Sequence, residues 1–184
     1  MVVRANSLAA GYSGVRPLLI ERLLELLALD IVPLIPSRGS VGASGDLTPL
    51  SYVAALLCGE RQAHVGATDQ VLDARQALTE AGLTPLSLMP KESLAIMNGT
   101  SVMAALACIA CERAARLAES ACALTALCVD ALAGQRAHYD PRLFAAKAHV
   151  GQAECAALIR QHLGERQAPP PVAARIQERY SLRC

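Results

Sequence analysis

The stretch PLIPSRGSVGASGDLTPL, residues 33–50, decides how this chain is interpreted, because its composition differs from everything around it. From Ile31 to Asp46 prolines, glycines and serines alternate, which is typical of a tight, backbone-constrained loop, and no regular element is predicted there. Asp46 then occupies a position from which its side-chain oxygen can cap a helix from Leu47 to Cys58, and Gly59 suits the helix end. The loop is therefore predicted to end at a helix N-terminus.

Outside this loop the sequence favours helices. The 184 residues are 53% hydrophobic but only 3% aromatic, and the apolar part is mainly Ala and Leu, the strongest helix formers. We therefore predict a mainly α protein forming a single domain over residues 1–184, with a small hairpin or loop near 61–72. Apolar spacing, caps and prolines predict these helices: Pro17 to Leu27, Asp73 to Ala81, Lys91 to Met97, a long core helix of about thirty residues from Ser101 that ends at Gly134, one that Asp140-Pro141 opens, and 151–163.

Charge and cysteine usage narrow the class of protein. The formal net charge is +1 and the arginines are spread from Arg4 to Arg183, so we expect no nucleic-acid partner. An odd count of seven cysteines, no signal peptide at Met1 and no apolar run long enough for a bilayer predict a reducing cytoplasmic setting without membrane contact. Most cysteines, Cys108 and Cys111 among them, are interpreted as core residues, and the histidines show no metal-ligand spacing, so no metal site is predicted.

The tripeptide Ala43-Ser44-Gly45 can carry chemistry of its own. A serine-hydrolase elbow is disfavoured, because Asp46 replaces the second glycine of G-x-S-x-G and no strand is predicted before the loop. In a sharply bent loop, however, the Gly45 amide nitrogen can attack the Ala43 carbonyl carbon, and loss of two waters then leaves a five-membered ring with an exocyclic methylidene from Ser44. Such a ring is a strong electrophile that needs no external cofactor. An ordinary turn is the alternative, since these three residues are common.

The surrounding sequence favours the ring. Residues 33–50 closely resemble the signature of the histidine/phenylalanine ammonia-lyase family, whose 4-methylidene-imidazol-5-one (MIO) prosthetic group forms from this tripeptide. The resemblance continues through Arg4-Ala5-Asn6, residues 11–17, residues 94–100 and residues 180–184, and so covers the whole chain. It implies the helical core of an ammonia-lyase/fumarase-like fold, and a carbon-nitrogen lyase that removes ammonia from an aromatic L-amino acid.

The resemblance also implies a set of site residues. Ala43, Ser44 and Gly45 would form the electrophile, and Asp46 matches the acidic position beside the ring, although capping a helix is an equally supported role for it. The remaining implied residues surround the substrate: Asn98 near the electrophile and the substrate amine, Arg183 on the substrate carboxylate, and Tyr180 and Gln177 orienting the substrate or the ring oxygen. A guanidinium fork suits a carboxylate. For Asn98 a plain turn at Asn98-Gly99, and for Tyr180 and Arg183 a surface pair, are the alternatives.

The substrate is left open by conflicting similarities. Residues 39–42 resemble the histidine enzymes, whereas residues 50–54 and Arg179-Tyr180 are nearer to phenylalanine or tyrosine enzymes. Conversion of histidine to urocanate is favoured, with a phenylalanine or tyrosine ammonia-lyase and a 2,3-aminomutase of the same family as alternatives.

The family's proteins are longer than this chain and form tetramers. We therefore expect a central part of such a protein, inactive by itself, with a homotetramer as the complete form, which would explain the many apolar residues for a domain of this size. From a different class, a catalytically silent helical fragment or interaction module is the competing hypothesis.

Overall fold

The computed structural model describes residues 1–66, 70–164 and 179–183, with Arg183 described through its backbone only. Contacts divide the chain into two compact units, Met1–Cys108 and Ile109–Cys184. The described residues are mostly helical with little strand, which confirms the predicted fold class. The single domain expected from the sequence stays a prediction.

Two helices open the first unit. Helix α1 (Val2–Ala9) was not predicted, because its apolar positions are interrupted by Arg4, which is nevertheless buried beside Ala5 and Leu8. Helix α2 (Pro17–Ala28) is confirmed where the sequence predicts it, with Pro17 in its first turn. The residues that α2 buries recur at helical spacing and are Leu19, Arg22, Leu23 and Leu26.

A three-stranded antiparallel sheet follows. Strand β1 (Ile31–Pro33) pairs with β2 (Gln62–Val65), and β2 pairs antiparallel with β3 (Gln70–Asp73), so of the hairpin or loop predicted near 61–72 the structure has the hairpin. The prediction that no regular element lies between Ile31 and Asp46 is wrong for β1. Its hydrogen-bonding partner lies some thirty residues further along, as in the pair Ile31 and Val65, and local composition carries no record of such a pairing.

Three helices complete this unit around the loop. Six of the eleven residues of helix α3 (Leu47–Leu57) are buried. Helix α4 (Ala74–Glu80) is capped by Asp73, whose side chain accepts from the Arg75 amide, and α5 (Glu92–Met97) precedes the turn at Asn98. Leu50, Leu56, Leu57, Leu78 and Ile96 are fully buried in one hydrophobic cluster with the buried faces of α1 and α2. This packing fixes the start of α3 and the end of α5, which flank the predicted site.

Helix α6 (Ser101–Ala131) is the predicted long helix, and it ends where Ala133 takes a left-handed conformation and the Gly134 amide donates to the Val129 carbonyl. By length and composition, the range Glu92–Ala131, which includes α5, the turn after it and α6, could cross a membrane. The expectation that no run is long enough is therefore wrong, because alanine and cysteine raise mean hydropathy without long apolar side chains. Core helices of soluble proteins pass the same test.

The second unit packs helices around its own small core. The predicted helices appear as α7 (Pro141–Ala146), capped by Asp140, and α8 (Val150–Leu163), which ends at Gly164. A 3-10 turn (Arg136–Tyr139) and the short helix α9 (Tyr180–Arg183) join them. The buried residues of this core are Cys122, Ala126, Val129, Tyr139, Ile159, Leu163 and Leu182.

The cysteines are less buried than predicted. Of the six that the structure describes, only Cys122 is buried and Cys58 is partly so, while Cys108, Cys111, Cys128 and Cys155 are exposed. The interpretation of most of them as core residues is wrong for the chain by itself. They lie on helix faces that no other described element covers, so a small apolar side chain there has no core to enter.

Candidate active site

The loop before α3 carries consecutive left-handed residues. Ser44 has φ 54° and Gly45 has φ 79°, after Gly42 at φ 68°. A serine in this region is uncommon, because its Cβ crowds the backbone, whereas glycine adopts it freely. Ala43 and Ser44 are exposed, and Gly45 is partly buried. The predicted tight loop is therefore a sharp turn centred on the tripeptide that was singled out.

Gly45 is held against the turn between α5 and α6. A Cβ built on Gly45 would lie 2.7 Å from the carbonyl carbon of Gly99, so no larger residue fits without movement. The next amide, that of Asp46, donates to the Gly99 carbonyl oxygen at 2.7 Å. The structure thus brings the predicted tripeptide directly beside Asn98-Gly99, which sequence alone could not place there.

Asp46 occupies the N-cap position of α3 but does not cap it. Its side chain is 5% exposed and makes no cap hydrogen bond to the first turn of α3. Instead one carboxylate oxygen accepts from the Met103 amide at 2.8 Å, and the other from the Ser40 hydroxyl at 3.3 Å. The prediction that Asp46 caps α3 is therefore wrong. Its carboxylate instead accepts a hydrogen bond from an amide in the first turn of α6.

Two helix N-termini consequently meet at the loop. Helix α3 begins one residue after Asp46, and α6 begins at Ser101, directly after the Asn98–Thr100 turn. The free amides and dipoles of helix N-termini favour negative charge. This part of the site can stabilise charge that develops at a group formed by residues 43–45.

Arg4 is a further residue of the site. It is part of the resemblance to the family, but the sequence alone predicted no role for it. It is 5% exposed, and its guanidinium donates to the carbonyls of Ala95 and Asn98, the latter at 3.0 Å. Desolvation lowers the pKa of Arg4 below its ordinary value. The sequence shows an arginine among the apolar residues of α1, but it does not show which carbonyl the arginine binds, because Ala95 lies 91 positions further along the chain.

A second arginine fixes the start of α5. The carboxylate of Glu92, 3% exposed, accepts from Arg16 Nε at 2.8 Å, from the Arg16 terminal nitrogen at 2.7 Å and from the Met89 amide at 2.8 Å. The hydrogen bonds from Arg16 in particular lower the pKa of Glu92 to about 2, against the opposing effect of burial. Both ends of α5 are therefore held by guanidinium groups, and its last turn leads into the site.

The remaining predicted residues belong to the second unit. Tyr180 begins α9 and is 73% exposed, and Arg183 ends that helix, which the Tyr139 hydroxyl secures by donating to the Leu182 carbonyl at 2.6 Å. Gln177 lies outside the described residues. The approach of these three residues to the Ala43–Gly45 turn stays a prediction.

Among the described residues, no group of three or more His, Cys, Asp or Glu side chains could hold a metal ion. A cavity of about 310 Å³ in the second unit is lined by Phe144, His149 and Arg160 among others. None of the predicted site residues whose side chains the structure describes lines it, and we assign it no role in the chemistry.

Comparison with known proteins places these features in context. A model of the aromatic amino acid lyase family matches residues 1–184. Histidine ammonia-lyase of Geobacillus thermodenitrificans is 43% identical over 185 residues, which is 100% of this chain and 36% of that protein. The chain therefore spans about a third of the length of the curated relatives it matches.

Solved structures show the same relationship in three dimensions. Phenylalanine ammonia-lyase from the yeast Rhodosporidium toruloides superimposes with a TM-score of 0.89 at 37% identity, over 98% of this chain and 29% of that one. Tyrosine aminomutase from Streptomyces globisporus does so with a TM-score of 0.80 at 39% identity, over 86% of this chain and 30% of that one. The helical architecture is thus that of the ammonia-lyases and aminomutases.

Proposed function

This chain belongs to the aromatic amino acid lyase family, and from that premise we propose that its protein eliminates ammonia from an aromatic L-amino acid by means of an MIO group formed from Ala43, Ser44 and Gly45. The observation that carries the proposal is the left-handed turn at Ser44 and Gly45, packed against Gly99 beside two helix N-termini.

The residues of this turn fit the proposed group. Ring closure joins the Gly45 nitrogen to the Ala43 carbonyl carbon and releases one water, and dehydration of Ser44 releases the second. The left-handed conformations of Ser44 and Gly45 already bend the backbone within the tripeptide, and packing around Gly45 restricts it to that bend. Once formed, the group supplies an electrophile that activates the substrate's amino group for departure.

Residues of the chain that match the family's pattern bind and orient the substrate. Asn98, at the end of α5, lies beside Gly99 and presents an exposed amide side chain for the substrate amine. Arg183 binds the substrate carboxylate through its guanidinium fork, and Tyr180 and Gln177 orient the substrate or the ring oxygen. The buried Asp46 carboxylate holds the amide of Met103 and with it the start of α6.

Histidine is the substrate we favour, with urocanate as the product. The support is the set of curated relatives, which are named histidine ammonia-lyases at 40–43% identity. The likeness to a tyrosine aminomutase favours a second candidate, a 2,3-aminomutase that returns the ammonia to the neighbouring carbon. A phenylalanine or tyrosine ammonia-lyase is the third, on the likeness to the yeast phenylalanine enzyme.

We extend the proposal to assembly and location. Exposed leucines along α6, among them Leu106, Leu117 and Leu127, support a homotetramer as the complete form. A cytoplasmic location rests on the odd cysteine count of the sequence.

The intact mass of the purified chain tests the proposed group. We expect a deficit of two water molecules that peptide mapping places within Ala43-Ser44-Gly45, and no deficit in the matched Ser44→Ala chain, whose side chain has no hydroxyl to lose. An unmodified mass in the parent chain would contradict the proposal and favour the silent helical module instead.

The substrate is tested separately with the product of the complete reading frame. It is incubated with histidine, phenylalanine and tyrosine in turn, and the products are identified by mass and ultraviolet absorption. Release of an α,β-unsaturated acid with ammonia indicates a lyase. A β-amino acid of unchanged mass indicates an aminomutase.

A further inference from the structure

A buried arginine connects α1 to the turn on which the candidate active site rests. Arg4 is 5% exposed, and its Nε has no hydrogen-bond partner among the described residues. A buried charged group is costly unless its hydrogen-bond donors find acceptors. The acceptors of Arg4 therefore indicate what it does in the fold.

Both acceptors of the Arg4 guanidinium lie at the end of α5. The carbonyls of Ala95 and Asn98 belong to the last turn and the C-cap, where the helix itself supplies no amide partners. A cation at a helix C-terminus is also favoured by the helix dipole. Arg4 therefore fixes the direction in which the chain leaves α5.

Gly99, the residue that follows Asn98, connects the end of α5 to the loop. Gly99 packs so closely on the guanidinium that an added Cβ would lie 2.8 Å from Arg4 Cζ. On its other side, the Gly99 carbonyl accepts the Asp46 amide at 2.7 Å and occupies the space that a Cβ of Gly45 would need. One unbroken series of contacts thus runs from Arg4 through Gly99 to Gly45.

We infer that Arg4 is a positioning residue: by binding the Ala95 and Asn98 carbonyls it holds Gly99 against Gly45 and Asp46 and keeps the 43–45 turn bent for ring closure. The same contact sets the backbone of Asn98, so both sides of the site depend on it. This inference rests on the proposed function. The hydrogen bonds of Arg4 go to the Ala95 and Asn98 carbonyls, so it acts through the Asn98-Gly99 turn.

A matched pair of arginines makes the inference testable. Arg22 lies in the same unit, is 8% exposed, and donates to the Thr84 carbonyl and to Glu25 at 2.8 Å, away from the loop. Arg4→Met and Arg22→Met therefore remove similar buried groups, and only the first removes the contact with Gly99. Arg4→Lys is the conservative variant, because it keeps the positive charge. Its ammonium nevertheless cannot reproduce the planar guanidinium.

The first measurement is hydrogen–deuterium exchange in the Ser44→Ala chain, where the ring cannot form. We expect Arg4→Met to speed exchange of the Asp46 and Met103 amides about tenfold or more, since a charge-assisted bond holding their turn is lost, while Arg22→Met leaves them unchanged. Arg4→Lys should fall between. If Arg4→Met unfolds the chain, the exchange rates of Arg4→Lys decide whether the inference holds, because lysine retains an aliphatic stem and the positive charge. Equal exchange in all variants would overturn the inference.

The second measurement follows the two-water mass deficit over time in chains that retain Ser44. Arg4→Met should form the ring at least about tenfold more slowly than Arg22→Met, since the turn is no longer held bent. Equal rates would overturn the role of Arg4 in ring closure. If the parent chain forms no ring, the proposed function fails, and the exchange measurement still decides whether Arg4 holds the turn.

Discussion

Gly99 is confined on both sides, by the Arg4 guanidinium and by Gly45. We predict that Gly99→Ala lowers the free energy of unfolding by about 1–3 kcal/mol, because the added methyl overpacks a site with no free space. Thermal or urea unfolding followed by circular dichroism measures this loss.

Gly151 is the control for this substitution. It lies in the first turn of α8, and nothing would come within 4 Å of an added Cβ. Gly151→Ala should be neutral or stabilise by up to about 1 kcal/mol, as alanine does in a helix. A loss of stability no larger for Gly99→Ala than for Gly151→Ala would show that the turn has room to relax.

The Glu92 carboxylate gives the chain a pH dependence with a defined sign. Because its pKa falls from 4.5 to about 2 in the folded protein, its contribution is complete above pH 4.5 and is lost as the pH falls toward 2. Glu92→Gln should therefore cost about 1–3 kcal/mol at pH 7 and less at pH 3, which lies between the two pKa values, as urea unfolding at the two pH values would show.

Asp140 is the matched control for Glu92. The hydrogen bonds of Arg142 lower the pKa of Asp140 to about 2 as well, but the Arg142 side chain is 90% exposed. Solvent weakens such surface pairs, and an asparagine can still accept the Arg142 amide at the cap. Asp140→Asn should change stability far less than Glu92→Gln, and equal effects would contradict the assigned importance of burial.

At the scale of elements, local patterns predicted what local interactions determine. Pro17, the Asp140-Pro141 pair and the run from Ser101 to Gly134 predicted helices that the structure confirms, since caps and periodicity act within one or two turns. Strand β1 was missed because it depends on β2, and Asp46 was assigned to α3 because its true donor, Met103, is 57 positions away. Contacts between distant segments leave no such local pattern.

The site divides in the same way. The tripeptide 43–45 and Asn98 were identified from resemblance, and the structure brings them together through Gly99. The role of Arg4 was missed, because an arginine within a short apolar stretch gives no indication of which carbonyls it will bind.

Burial along α6 and α8 predicts unequal cysteine reactivity. Cys122 is buried, and burial above all, with a hydrogen bond to Cys155, raises the pKa of its thiol, whereas Cys108 and Cys111 are exposed. Only the thiolate reacts with iodoacetamide. In dilute native chain we expect Cys108 and Cys111 to be alkylated at least about tenfold faster than Cys122, as peptide mass mapping would measure. In the urea-unfolded control we expect the three cysteines to be alkylated at equal rates. Equal alkylation rates in the native chain would contradict the core position of Cys122.

For the whole molecule, the apolar surface of α6 is the largest unexplained feature of the chain by itself. Leu106, Leu117, Leu124 and Leu127 are each more than 60% exposed, although leucine loses favourable free energy in water. Soluble proteins seldom leave so many large apolar side chains on one helix uncovered, and such surfaces commonly mark contacts between chains. The described residues of this chain therefore present a helix that is suited to association.

We accordingly predict that Leu117→Glu weakens self-association of the chain and spares its fold. Leu117 is 71% exposed, so a charge there costs the isolated chain little, within about 0.5 kcal/mol, whereas an unpaired carboxylate buried between chains costs several. Val150→Glu is the control, because Val150 is 75% exposed but lies on α8. Sedimentation velocity over a concentration series should show larger species for the parent chain and Val150→Glu, and a shift to monomer for Leu117→Glu. The same distribution for both variants would mean that α6 does not form the contact between chains, and the proposed homotetramer would then need another surface.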